Sequence, residues 1–453
     1  MNTLPKIRIG SGAGYAGDRV EPAIELAEKG NLDYLVFECL AERTIALANQ
    51  EKLKNPDAGY DALLEKRFYG VLPFINDQQG NRRFKIISNM GAANPVAAAK
   101  RIREILADLN IHGIKVAAVT GDDVLYQLQN RALTLDNGLK IDVLAAQVVS
   151  ANAYLGVEGI LAALKQDADI IITGRVADPS LFLAPLIHEF NWSLSDWNKL
   201  GKGTVIGHLL ECAGQVTGGY FADPGIKDVP HLDRLGFPIA EVDSEGNAII
   251  TKVEGSGGFV TEATCKEQLL YEIHQPDAYL TPDVIADFSH VYFKALAPDQ
   301  VAVYGAAGYP KPEKLKVTVG FTDGFIGEGQ ISYGGPNARQ RADLARKVVL
   351  SRLQQTKICY EDIRADLMGV DSLYGDCSQS ASDHIWEVRL RVAARCKKKT
   401  DAVAVANEVE SLYTNGPYGG GGAVKTVREV LAVAALYLPR DEVHVNVVME
   451  SAS

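Results

Sequence analysis

Several polar side chains sit directly behind short apolar runs in the first 180 residues: Asp18, Arg19, Glu38, Asn89, Asp122, Arg175 and Asp178. Apolar runs of this kind read as buried strands, and ligands of open α/β sheets collect at the carboxyl ends of such strands. The residue types suit one chemistry in particular. Arg19 and Arg175 can fix a carboxylate by paired hydrogen bonds. Asp18, Glu38 or Asp178 can move a proton alpha to a carbonyl, since carboxylates crowded beside arginines can divide into an acid and a base. Asn89 and Asp122 complete the substrate-binding set. For Asp122 a helix cap competes with that role, because Asp and Asn are favoured there. The expected reaction is that of a lyase or hydratase on a small carboxylic acid or acyl-CoA.

A second constellation is "GHLLECAGQ", residues 207–215. His208 and Glu211 fall three apart and therefore on one face of a helix. The pair suits a base with its orienting carboxylate, or two metal ligands with Asp223 the nearest third; a histidine simply satisfied in the core fits equally well. Whether a metal or another cofactor is needed is open. In "EGSGGFVTEATCKEQ", 254–268, a glycine turn precedes Thr261, Thr264, Lys266 and Glu267. Main-chain amides of such a turn can cradle an anion, with Lys266 beside it, or the turn is a plain hairpin. Cys212 and Cys265 are each a nucleophile or a core filler. The sequence has no zinc-protease helix, serine nucleophile elbow or P-loop.

The stretch "IRIGSGAGYAGDR", 7–19, spells Gly12-x-Gly14-x-x-Gly17. As a dinucleotide fingerprint its turn is long, and Asp18 would compete with a pyrophosphate for the following helix N-terminus. Glu38 stands where a ribose-binding acid would stand. An NAD-dependent dehydrogenase is therefore the alternative, although no bound dinucleotide is expected. A non-catalytic partner subunit of an acyl-CoA carboxylase complex is another.

The elements that must position these groups follow from periodicity. Strand signals at 6–10, 33–38, 84–88, 114–119 and 169–173 alternate with helical stretches such as "PVAAAKRIREILADL". That alternation predicts a parallel sheet covered on both faces, a Rossmann-like α/β domain over residues 1–282. A helix is expected at about 195–215, and the Gly-rich region 216–280 reads as loops leaning over the domain. Beyond it, strand, helix and strand are written twice, with helices at 336–355 and near 400–413. This predicts an α+β, ferredoxin-like (split βαβ) domain over 283–453.

Composition narrows the function. The chain has 453 residues, with 46 basic and 57 acidic side chains and a net charge of −11. Nucleic-acid binding needs a basic face, so it is not expected, and "KKK" at 397–399 reads as a solvated strand end. The longest apolar run, 430–438, is too short to span a bilayer. Six scattered cysteines without a C-x-x-C pair read as reduced thiols, and no secretory signal is evident, so a cytoplasmic location is expected.

Taken together, "IGSGAGYAGDR", "YLVFECLAERT", "SNMGAANP", "DIIITGRVADPSLFLAPL", "GHLLECAGQVTGGYFADPG", "GSGGFVTEATCKEQLLYEI", "YGGPNAR" and "NGPYGGGG" resemble the acyclic terpene utilisation, AtuA-like family. The resemblance covers most of the chain. It implies a catabolic setting among acyl-CoA compounds of branched or isoprenoid acids, and it assigns no catalytic residue. Two glycine-rich stretches, the 254–268 turn and "NGPYGGGG", are further expected to close over substrate or to meet a neighbouring subunit in a homo-oligomer.

Overall fold

The computed structural model describes residues 4–129, 131–144, 147–375 and 385–450. Its Cα packing separates two compact units, one of residues 1–320 with 433–453 and one of residues 321–432. The division expected at 282/283 thus shifts. Residues 283–320 belong with the first unit because their short strands pack on its helices and extend its sheet.

In the first unit every expected strand forms: β1 (Lys6–Ala13), β2 (Tyr34–Phe37), β3 (Lys85–Ser88), β4 (Val116–Thr120) and, after an additional β5 (Val148–Ala153), β6 (Ile170–Thr173). Strands β1, β2, β3, β6 and β4 pair in parallel in that spatial order. Strands β2 and β6 are buried at every position, as Leu, Val and Ile runs covered on both faces must be. One layer of helices is Glu21–Lys29, Leu64–Val71 and Pro95–Asp108; another is Glu158–Lys165, Ser180–Phe190 and Trp197–Glu211. Leu26, Phe68 and Ile102 of the first layer join Leu35, Phe37, Ile86 and Ile172 of the sheet in one core.

The sheet is larger and more mixed than the sequence suggests. Region 216–280 is not all loop: β7 (Pro238–Asp243) and β8 (Ala248–Lys252) form a hairpin beside β1. Its turn is built by Asp243, whose Oδ1 accepts from the amides of Glu245 and Asn247. The short β9 (Tyr279–Leu280), β10 (Ile285–Asp287) and β13 (Ala307–Tyr309) make a small separate sheet, while β11 (Tyr292–Ala297) and β12 (Gln300–Tyr304) extend the main one. With antiparallel β7 against β1, the strand order does not reverse at β1. The arrangement thus differs from the 3-2-1-4-5-6 order of dinucleotide-binding folds.

The second unit holds the end of β14 (Lys314–Gly334), the helix Ala338–Gln355, β15 (Asp362–Met368), β16 (Glu387–Cys396), the helix Lys399–Glu410 and most of β17 (Gly420–Pro439). The two strand segments expected between 314 and 333 are one continuous strand. The sheet order is β15-β16-β14-β17, and β16 is antiparallel to both of its neighbours. Alternate residues of β16 are buried, and Val388, Leu390, Val392 and Ala394 meet Ala342, Val349, Val405 and Val409 of the two helices. The chain then returns to the first unit as β18 (Asn446–Glu450), antiparallel to β4.

Candidate active site

Within the first unit, a cavity of about 1240 Å³ opens at the carboxyl ends of β1 and β2. Its wall includes Asp18, Arg19, Glu38, Asp178 and Glu211 of the expected set. Leu40, Leu232, Leu235, Phe237 and Leu315 line it with apolar surface, and six tyrosines (15, 154, 220, 271, 279 and 437) contribute rings.

Glu38 ends β2 and is almost fully buried. Its Oε1 accepts from the Leu40 amide (2.8 Å) and from Asn89 Nδ2 (2.9 Å). Asn89 itself lies behind the wall, and its Oδ1 accepts from the Cys39 amide (2.7 Å), so it orients Glu38 and does not face the cavity. Burial raises the Glu38 carboxyl above its ordinary range, against the pull of Arg175. Asp178 is raised well above its range, by burial first and then by Glu38, Glu211 and Glu42, again against Arg175.

Arg175 is buried beneath this cluster. Its guanidinium donates to the Leu40 carbonyl and to Asp178, and it lies over the Tyr154 ring at 4.3 Å. Each terminal nitrogen thus has a partner within the protein, and Nε has none. Arg175 stands behind the cavity wall, where it supports Asp178 and does not face a substrate carboxylate. Asp122 is also behind the wall, where it accepts from the Arg175 amide and from Asn152 Nδ2, both at 2.9 Å. Burial pushes its carboxyl up to about 6.

Asp18 accepts from the amides of Gly14 (2.9 Å) and Arg19 (2.8 Å), and burial raises its carboxyl despite those bonds. Arg19 Nη1 donates to the carbonyls of Leu232 and Asp233, drawing that segment to the rim. The glycines of this loop are explained by packing. A Cβ on Gly12 would stand 2.5 Å from the Phe37 ring, and one on Gly14 would stand 2.4 Å from the main-chain carbon of Cys212. The close approach is between two parts of the protein.

His208 is fully buried between Tyr279 and Phe288. Nδ1 lies 2.7 Å from Glu211 Oε1, and Nε2 lies 3.2 Å from the Leu269 carbonyl. A carbonyl can only accept, so Nε2 carries a proton. The Nδ1 contact holds the Glu211 carboxyl in place in the cavity wall. Glu211 Oε2 is buried without a partner. Cys212 is in the wall, but burial and Glu211 raise its thiol, which disfavours a thiolate nucleophile.

Lys266 lies elsewhere. It is exposed and pairs with Glu262 one helical turn away (3.8 Å). The 254–268 turn is a helix start: Thr261 and Thr264 form a reciprocal cap on Glu262–Leu270. Cys265 is buried, and burial pushes its thiol up to about 12. Asp223 is exposed in a turn closed by Lys227, and among the described residues no three His, Cys, Asp or Glu are grouped to hold a metal ion. Sequence reasoning missed Glu42, Tyr154, Tyr279 and Lys316. Glu42 was visible in "ECLAERT", four residues after Glu38. Tyr154 ends β5, a strand with a weak apolar signal. Burial raises Glu42, but the hydrogen bond from Tyr154 and the charges of Arg175 and Lys316 prevail and bring it down to about 2. Arg67, also missed, is buried against Asp61 and donates to the carbonyls of Tyr15, Ala16 and Asp18, which fixes the β1 loop.

A family model matches residues 7–449, nearly the whole chain; its description is "acyclic terpene utilisation family protein AtuA". The chain belongs to the AtuA family. Membership places it in acyclic terpene utilisation, a catabolic context. No curated protein and no solved structure matches the chain. Among the described residues no helix is long and apolar enough to cross a membrane.

Proposed function

We propose that this AtuA-family chain is a lyase or hydratase that adds or removes water on a branched, largely apolar acyl compound. The observation that carries this reading is the cluster of Glu38, Asp178 and Glu211 in one cavity wall, each in a different hydrogen-bonding state. Addition or elimination of water beside a carbonyl needs one group to take the alpha proton and another to protonate the leaving hydroxyl. Glu211, with one oxygen tied to His208 and the other unpartnered, suits the base. Asp178, whose proton is held more tightly than usual, suits the acid. Arg175 anchors Asp178, and His208 orients Glu211; both are positioning groups. The apolar and tyrosine surfaces suit an isoprenoid chain, and Arg19, Lys314 and Lys316 bring positive charge for a carboxylate or the phosphates of a thioester carrier.

The dehydrogenase alternative gains no support. The Gly14 amide that would face a pyrophosphate is bonded to Asp18, and side-chain or main-chain atoms fill the space beside Gly12 and Gly14. The second unit's strand-helix-strand-strand-helix-strand order supports reading it as ferredoxin-like.

The test is hydration of α,β-unsaturated branched acyl thioesters, followed by loss of the conjugated absorbance. Wild-type protein should turn over, while Glu211→Gln should fall by about 10²–10⁴ with unchanged thermal stability. No turnover of any such thioester or free acid by folded protein, or full activity in Glu211→Gln, would overturn the reading.

A further inference from the structure

We infer that the free edge of β17 is a self-complementary interface through which two copies of this chain join their second-unit sheets. The proposal is independent of the reaction assigned to the cavity. Strand β17 is the last strand of its sheet, so one row of its main-chain groups has no neighbouring strand among the described residues. Two contacts show which row that is. The Ala423 amide donates to the Tyr413 hydroxyl (2.9 Å), not to a strand. Farther along, in the first unit, the Ala435 amide donates to Asp136 Oδ1 and its carbonyl accepts from the Asp136 amide. Main-chain groups alternate sides along a strand, so Lys425, Val427, Glu429 and Leu431 direct theirs to the same edge as Ala423. Side chains and a loop cap both ends of the edge, and no strand among the described residues covers its middle.

An open strand of this length is a hazard unless something blunts or pairs it. No proline interrupts the run "AVKTVREVLAV", and Lys425, Arg428 and Glu429 are its only charged residues. Pairing is favoured by the order of residues in "VKTVREV", 424–430. In an antiparallel pair centred on Val427, Lys425 faces Glu429 of the second copy, Val424 faces Val430, and Thr426 faces Arg428. Opposite charges and β-branched side chains placed directly across from one another are the stabilising cross-strand pairs. A two-fold axis supplies each pair twice, as an isologous dimer requires. Lys425 already holds Asn407 and Glu410 of its own chain, which fixes its ammonium on the helix-covered side of the sheet. Val424 is half exposed on the other side, where the partner's Val430 would cover it. A shift of one residue in either direction would place Lys425 against Arg428 or Val430 and lose these pairs.

The experiment is the mass of the full-length chain in solution by sedimentation or light scattering. Wild type should be a dimer or an even multiple of it. Glu429→Lys sets lysine against lysine, Lys425→Glu sets glutamate against glutamate, and each alone should halve the particle mass with unchanged circular dichroism. Mixing the two variants restores both opposite-charge pairs, so the mixture should recover the wild-type mass. A monomeric wild type, an unchanged mass in the single variants, or a mixture that stays small would each overturn the proposal.

Discussion

The two units use charge in opposite ways. In the first, Arg175 is completely buried and answers to Asp178, Leu40 and Tyr154. In the second, Arg391 lies on the uncovered side of its sheet, where it pairs with Glu328 (2.6 Å) and Asp366 (3.4 Å) within reach of solvent. The contrast follows from layering. A sheet with helices on both faces leaves its polar groups only the strand ends, so they gather there and must satisfy one another. A sheet with helices on one face can dress the other with ion pairs that water screens. A cavity with perturbed carboxylates is a natural product of the first arrangement.

The largest test of that contrast removes one arginine from each unit. Arg175→Leu leaves the half-buried Asp178 without its counter-charge and the buried Leu40 carbonyl without its donor, and should destabilise the chain by about 3–5 kcal/mol. Arg391→Ala should change stability by less than about 1 kcal/mol. Urea denaturation of the two variants checks both, and similar losses would break the comparison.

Glycines give a smaller difference. An alanine at Gly14 would push its Cβ into the Cys212 main chain, which cannot rotate away. Overpacking of this kind typically costs about 1–3 kcal/mol, and the displaced loop carries Asp18 into the bargain. Gly421 in β17 has nothing within 4 Å of a new Cβ and has no positive φ. Gly421→Ala should be neutral or stabilise by about 0.4–1 kcal/mol, by restricting the unfolded chain. Thermal melts of the pair would sharpen the comparison.

The smallest expected effects appear in the pH dependence of the first unit. Glu42 has its folded value lowered from 4.5 to about 2, so its contribution is complete above 4.5 and is lost as the pH falls toward 2. Asp122 behaves oppositely. Its value is raised from 3.8 to about 6, so the folded state takes up a proton more readily, and stability from this group increases as the pH falls from 6 to 3.8. Melting temperature against pH should therefore be flatter below 4.5 in Glu42→Gln, and flatter between 3.8 and 6 in Asp122→Asn. Unchanged profiles would show that these carboxylates are not held as described.

Much of the scaffold was legible because periodicity is local. The Ile and Val runs of β2, β3 and β6 and the helix Pro95–Asp108 announce themselves within ten or fifteen residues. The hairpin β7–β8 was hidden among glycines and turn residues, and β18 was hidden by its distance from β4, more than 300 residues away. Of the site, Asp18, Glu38, Asp178 and Glu211 were legible as polar groups behind apolar runs or on a helix face. Lys266 was misplaced because a cap and a ligand loop share the same Gly and Thr composition. Asn89, Asp122 and Arg175 were expected to bind substrate but lie behind the cavity wall, a direction that was not legible.

By itself the sequence determined the parallel strands, the helices between them, the family and the gathering of polar residues at the strand ends. All of these depend on which residues are neighbours along the chain. Only the tertiary structure decided which polar groups face the cavity and which serve as their supports. That choice depends on hydrogen bonds between distant segments, such as Asn89 to Glu38 and His208 to Leu269. A buried polar group must take whatever partner the packing brings within reach, and no local pattern records that partner.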